Sequence, residues 1–269
     1  MKIIALVENT VKDSNLKPKH GLSFYIETRK QKILFDLGPD DTCLYNAQKL
    51  GIDLTEVDIV ILSHGHKDHG GGLPDFLKVN SKAKIYLHRK AFEPHYIKAF
   101  FFLNIFIGLN KDLANDRFIL TDDTMRINDE LFSDVNANFD TNSNRVMLKK
   151  TLKGYVQDDF AHEQTLIMTE EDKSVLLTGC SHRGIANILN TARKYQPIIK
   201  VVFGGFHLYN PVTKVSESPE VVQQLANEIS TQEIVFYTGH CTGKKAFESM
   251  HEVMGDKIQY FSAGSELDL

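Results

Sequence analysis

A layered α/β protein folded as one domain is what this sequence predicts, and three observations predict it. Apolar runs of strand length lie near both ends of the chain. Segments with helical spacing alternate with short strands through the second half. No Pro-, Gly- or Ser-rich linker divides the 269 residues, so a single domain over 1–269 is preferred to two small ones.

The elements follow in order. Residues 2–8 read as a buried strand that runs into a polar, Pro-containing loop from Asn9 to His20. Leu22–Thr28 and Lys32–Phe35 form a hairpin around Arg29-Lys30-Gln31, and Asp36-Leu37-Gly38-Pro39 stops it. A helix is expected from Thr42 to Leu50, closed by Gly51. Val57–Leu62, apolar apart from Asp58, is a strand that delivers the chain into Ser63-His64-Gly65-His66. After Gly70-Gly71-Gly72 a short helix to about Leu77 precedes a strand at Lys84–Leu87.

Gln164–Met168 and Ser174–Thr178 are strands joined by the acidic turn Glu170-Glu171-Asp172. Ile185, Ile188, Leu189 and Ala192 form the apolar stripe of a helix over 184–195, followed by a strand at Ile198–Phe203. Ser218 as N-cap and Pro219 at the first position open another helix, with Val222, Leu225, Ala226 and Ile229 inward. A strand at Glu233–Tyr237, a helix at Thr242–Met254 and a strand at Lys257–Phe261 complete the pattern. An aromatic-rich insertion at 92–110, with Phe92, Tyr96, Phe100, Phe101, Phe102 and Phe106, has no place in this alternation. It reads as a core helix or subunit contact, or else as an aromatic lid over a pocket for a flat ring.

With 42% hydrophobic and 25% charged residues the composition is that of a globular protein. A net charge of −4 gives no basic field, which excludes nucleic-acid binding by general electrostatics while leaving room for a local phosphate pocket. Cys43, Cys180 and Cys241 are too few and too scattered for a disulfide framework. The first residues show no leader-type apolar run, and the apolar stretch Ala99–Leu109 is too short to span a bilayer. A cytoplasmic location without membrane attachment is expected, and homo-oligomerisation stays open.

His64-Gly65-His66-Lys67-Asp68-His69 places three imidazoles and a carboxylate at the end of a buried strand. A strand end followed by a Gly-flexed turn can aim several donors at one point, as a metal ion requires. Nitrogen donors with one carboxylate suit zinc, manganese or iron rather than calcium or magnesium.

This H-x-H-x-D-H string resembles the signature of the metallo-β-lactamase superfamily. The resemblance implies a four-layer αββα sandwich with two divalent transition-metal ions at one edge of its sheets, zinc foremost. Leu34-Phe35-Asp36-Leu37-Gly38 resembles the family's strand-Asp-x-Gly element, which implies that Asp36 supports the ligands from behind. Leu177-Thr178-Gly179-Cys180 stands where the family carries Thr-Gly-Asp, with cysteine replacing the bridging carboxylate. His162 is the implied third histidine, with Glu163 as its rival, and His240 is the last. One ion would then take His64, His66 and His162, and the other Asp68, His69 and His240, with Cys180 between them or on the second. Thr178-Gly179-Cys180-Ser181-His182, Gly204-Gly205-Phe206-His207-Leu208 and Thr238-Gly239-His240-Cys241-Thr242-Gly243 together resemble the dihydropterin-(ribofuranosyl)aminobenzene phosphate synthase subfamily. That activity joins a pterin pyrophosphate to an aminobenzene ribosyl phosphate with loss of pyrophosphate.

The sequence also points to an anionic small-molecule substrate. Ser181-His182-Arg183-Gly184 opens one helix beside Cys180, and Thr242-Gly243-Lys244-Lys245 opens another beside His240. Helix N-termini attract anions, and Arg183 and Lys244 add charge. His207 and His20 are expected to contact substrate, Asp68 to orient or deprotonate the nucleophile, and His182 to protonate the leaving group. His88, His95 and His251 carry no motif. The rivals are a metal-dependent hydrolase of a small phosphodiester or other ester, and a non-enzymatic metal or redox sensor using Cys180 and Cys241.

Overall fold

The computed structural model describes residues 1–99, 103–113, 115–122, 124–129, 131–134, 146–212 and 214–269. Two seven-stranded sheets face each other. The first runs, in spatial order, Glu266–Asp268, Lys2–Val7, Ser23–Glu27, Lys32–Phe35, Ile59–Ile61, Lys84–His88 and Phe118–Thr121. The second runs Ile258–Tyr260, Val235–Thr238, Val201–Phe203, Lys173–Leu177, Thr165–Glu170, Leu131–Asp134 and Met125–Arg126.

Strand alternation builds the layers. Ile3, Ala5, Ile59, Ile61, Val175, Leu177, Val201 and Phe203 meet in one cluster between the sheets. Their neighbours point outward: Ile4, Leu6 and Val60 pack with Cys43, Ala47, Leu73 and Phe76 of the helices Thr42–Lys49 and Leu73–Val79. Leu176 and Val202 pack under the helices Ile185–Ala192, Pro219–Ser230 and Lys244–Met254. The result is the expected αββα order. Ser218 caps its helix through Val221 N, with Pro219 at the first position.

Lys32–Phe35, Ile59–Ile61 and Lys84–His88 are parallel, as are Lys173–Leu177, Val201–Phe203 and Val235–Thr238. Phe35 is in register with Ile61, Leu177 with Phe203, and Phe203 with Tyr237. Loops leaving the carboxyl ends of these strands therefore gather at one edge, where α/β sheets bind ligands.

Of the readings offered for the 92–110 insertion, the core helix does not form. His95–Ala99 and Leu103–Phe106 are antiparallel strands of a four-stranded sheet completed by Met147–Thr151 and Gly154–Gln157. Ile97 and Ala99 are buried while Lys98 is exposed, the period of a strand. Phe100, Phe101 and Phe102 lie outside the described residues. The terminal strand Glu266–Asp268, not anticipated, pairs with Lys2–Val7. Among the described residues no helix is long and apolar enough to cross a membrane.

Candidate metal centre

Five non-glycine residues at this edge have left-handed backbones: Asp36, Phe160, Ser181, His207 and His240, with φ between 49° and 60°. Each such residue carries strain of about 1–3 kcal/mol, and such strain clusters at functional sites. Close approach matters too: a Cβ on Gly179 would meet Ser63 Oγ at 2.2 Å.

Three buried carboxylates fix the loops. Asp36 accepts from Ser63 N and Ser63 Oγ, both at 2.7 Å, and its Oδ2 is 2.6 Å from His69 Nδ1. Glu8 accepts the His240 amide at 2.7 Å and the Tyr260 hydroxyl at 2.9 Å. Glu163 accepts the amides of His182 at 2.7 Å and Arg183 at 2.9 Å.

Two donor groups result. Asp68, His69, Cys180 and His240 bring four ligand atoms together. His69 Nε2 is 3.2 Å from both Cys180 Sγ and His240 Nε2, and Asp68 Oδ2 is 3.3 Å from His240 Nε2 and 3.6 Å from His69 Nε2. Donors of one tetrahedral ion stand about 3.3 Å apart at ordinary bond lengths. The tautomers agree. His69 gives its Nδ1 proton to Asp36, and His240 Nδ1 faces Asn9 Oδ1 at 3.3 Å, so both Nε2 atoms face inward, where loss of the His69 Nε2 proton frees its lone pair for a metal. A proton can satisfy one of these contacts; a metal cation satisfies all four.

His64, His66 and His182 form the other group. Ser63 Oγ donates to Asp36, so His64 Nδ1, 2.9 Å away, donates to that oxygen. The buried His64 Nε2 lone pair then has no hydrogen-bond partner among the described residues, and neither has His66 Nε2. Burial, reinforced by neighbouring imidazoles, drives His64, His66 and His182 well below the ordinary histidine value, so each is in the neutral form that binds metal. Burial alone would raise Asp68, but His69 and His240 outweigh it and hold the carboxyl well below the carboxylate range. Burial would likewise lower His69, yet Asp68 and Asp36 push it up to about 9.

The structure redistributes several expected roles. His182, anticipated as a proton donor, joins His64 and His66, its ring stacked on Phe160 at 4.3 Å. His162 groups instead with His66, His95 and Asp158, because its Nδ1 accepts the Gly65 amide at 2.9 Å. Glu163 is committed to two backbone amides. The same contacts commit groups of the expected anion site: the His182 and Arg183 amides are occupied by Glu163, and Ser181 is buried with its hydroxyl donating to the Gly205 carbonyl. Lys244 is exposed and does not line the cavity at the centre.

That cavity, about 400 Å³, is lined by His66, Asp68, Cys180 and His182 from the two groups, with His20, His207 and Cys241 beside them. Among the described residues that line it, Lys67 is the one Lys or Arg side chain. Ile97, Phe106, Ile107, Met147, Pro211 and Val212 form an apolar wall. His20 Nε2 is 3.5 Å from Asp68, and burial, with help from His240, pushes its imidazole down to about 4.

A family model described as the metallo-beta-lactamase superfamily matches residues 16–134. The chain belongs to that superfamily, whose fold implies binding of divalent metal. It is 30% identical to the 7,8-dihydropterin-6-methyl-4-(beta-D-ribofuranosyl)-aminobenzene-5'-phosphate synthase of Methanocaldococcus jannaschii, over 98% of this chain and 95% of that protein. An uncharacterised protein of the same organism is 26% identical over 92% of this chain and 93% of its own length. The crystal structure of a metal-dependent hydrolase of the beta-lactamase superfamily superposes with a TM-score of 0.82 at 28% identity, covering 100% of this chain and 99% of that one.

Proposed function

We propose that this chain is an enzyme that holds two divalent transition-metal ions, zinc foremost with manganese and iron as rivals, and acts on a small phosphorylated substrate. The observation that carries the reading is the convergence of inward lone pairs from Asp68, His69, Cys180 and His240 beside a second group, His64, His66 and His182, at one cavity. Bound divalent ions supply Lewis acidity and charge neutralisation toward phosphate oxygens.

The chain's own groups do the rest. The Lys67 ammonium draws the anion to the mouth of the cavity. The apolar wall from Ile97 to Val212 receives the uncharged part of the substrate and excludes water. Asp68 orients the nucleophile, with neutral His20 3.5 Å away to share a hydrogen bond with it. His207, against His182 at 4.3 Å, faces the leaving-group side. Three free, buried thiols fit a cytoplasmic setting.

The finer reading is synthase-like chemistry with release of pyrophosphate, supported by the 30% identical archaeal synthase. Hydrolysis of a small phosphodiester is the second reading, favoured by the 28% identical hydrolase structure. The metal-loaded protein should be assayed for pyrophosphate release from a dihydropterin pyrophosphate with an aminobenzene ribosyl phosphate, and for cleavage of bis(p-nitrophenyl) phosphate. Turnover of either supports the enzyme. Full metal load with no turnover of any phosphorylated compound refutes it and favours the sensor reading through Cys180 and Cys241.

A further inference from the structure

One buried cluster has no part in the reading above. Asp158 Oδ2 lies 2.6 Å from His95 Nδ1 and 3.4 Å from His162 Nε2, and the two rings are 3.9 Å apart. A separation of 2.6 Å is a hydrogen bond; two ligands of one tetrahedral ion would stand about 3.3 Å apart. His95 and Asp158 are therefore hydrogen-bonded, and the His162 ring packs against His95 with its Nε2 3.4 Å from the carboxylate and without a hydrogen-bond partner among the described residues. His95 Nε2 faces the Lys90 carbonyl at 3.3 Å, so both its nitrogens face acceptors and donate. His162 Nδ1 accepts the Gly65 amide, which leaves its proton on Nε2, 3.4 Å from Asp158 Oδ2.

The last of these contacts, from His162, falls on the glycine between His64 and His66. On the other side of that glycine a Cβ would come 2.2 Å from the Ala91 carbonyl oxygen, so the turn is clamped from both sides. His66 has a ring nitrogen within 4.8 Å of the trio's donor atoms and also belongs to the group with His64 and His182. His95 opens a strand of the four-stranded sheet, and the amide of Asp158 donates to the Met147 carbonyl of the same sheet. That sheet supplies Ile97, Phe106 and Met147 to the cavity wall.

We infer that His95, Asp158 and His162 form a positioning relay that ties the cavity-covering sheet to the His64-Gly65-His66 turn and sets a carboxylate near His66. This rests on the reading of His64, His66 and His182 as metal donors. Charged partners behind ligating histidines orient the ring and raise its affinity for metal.

The test uses the full chain loaded with Co²⁺, read by its visible absorption bands and by chelator competition. Asp158→Asn and His162→Ala should bind the ion of the His64 group roughly 10–100-fold more weakly and shift its bands, while the other ion stays. His162→Asn, whose side-chain carbonyl can still accept the Gly65 amide, should recover part of the affinity and keep the fold if His162→Ala does not. Unchanged affinity and bands in Asp158→Asn overturn the relay. Complete loss of one ion in His162→Asn, equal to that in His64→Ala, also overturns it, by making His162 a ligand. A wild-type chain that holds no ion at the His64 group would instead remove the metal reading itself, and the relay with it.

Discussion

The carboxylate of Asp36 sits 2.6 Å from His69 Nδ1 and decides which nitrogen of that ring faces the centre. The same carboxylate receives the amide and hydroxyl of Ser63, the residue before His64, so one buried charge aligns donors of both groups. Asp36→Asn keeps one acceptor but loses the charge. It should weaken the ion held by His69 roughly 10–100-fold by chelator competition. The metal-free protein should lose about 1–3 kcal/mol in denaturant unfolding. Wild-type metal affinity in Asp36→Asn would reduce the carboxylate to a loop cap.

The raised His69 gives a pH signature with opposite signs in two states of the protein. With a folded value of about 9, above the ordinary 6.5, the metal-free protein holds this proton at pH 7. The stability it contributes is fully present below about pH 6.5 and is lost as pH rises through about 9. A metal ion displaces the proton, so metal affinity should rise over the same window. Melting temperatures between pH 7 and 9.5 should fall with chelator present and hold or rise with zinc present. Parallel curves would show that no proton leaves His69 on binding.

The assignment of the third histidine is open to direct measurement. His182→Ala should cost one ion per chain in elemental analysis, as His64→Ala does. His162→Asn should retain both ions, one of them held more weakly. The reverse pattern would return the ligand role to His162.

Cys180 and Cys43 separate chemistry from packing. Cys180 Sγ is 3.2 Å from His69 Nε2, so Cys180→Ala should weaken the ion of that group while Cys180→Asp keeps it. Cys43 is fully buried among Leu6, Val60 and Phe76, with Ser23 Oγ 3.4 Å from its sulfur. Cys43→Ala should cost ~1 kcal/mol of stability through lost packing and leave metal content unchanged. Equal metal affinity in wild type and Cys180→Ala would make Cys180 a bystander.

Much of this was legible because strand alternation and the His64–His69 string are local signals. Ile59, Val60 and Ile61 alternate between two cores, and that alternation alone places His64 at a strand end. The grouping of His182 with His64 and His66 was not legible. Its spacing from Cys180 carries no motif for a ligand, and only the left-handed backbone at Ser181, φ 55°, turns it toward His64. The strands of the insertion were not legible for a similar reason. His95–Ala99 pairs with Met147–Thr151, some fifty positions on, and a partner that distant leaves no local trace. The amides of His182 and Arg183 looked free because nothing in the sequence shows Glu163 folding beneath them.

We place the proposed anion contact on Lys67 rather than on Arg183 or Lys244. Lys67 lines the cavity at the centre, and its amide donates to the Ile107 carbonyl at 2.7 Å, which fixes the backbone beneath the ammonium. Lys244 is exposed and outside that lining, and the Arg183 amide is held by Glu163. A charge-assisted contact contributes roughly 1.5–3 kcal/mol. Loss of such a contact weakens binding about ten- to a hundred-fold at ~1.4 kcal/mol per decade. Lys67→Ala should therefore bind pyrophosphate that much more weakly by calorimetry, with both ions retained, since its ammonium is not among the donors. Lys244→Ala should bind as wild type does. Weakened binding in Lys244→Ala with Lys67→Ala unaffected would move the anion back to the helix N-terminus at Lys244. Wild-type affinity in both would leave the metal donors as the sole recognition of phosphate.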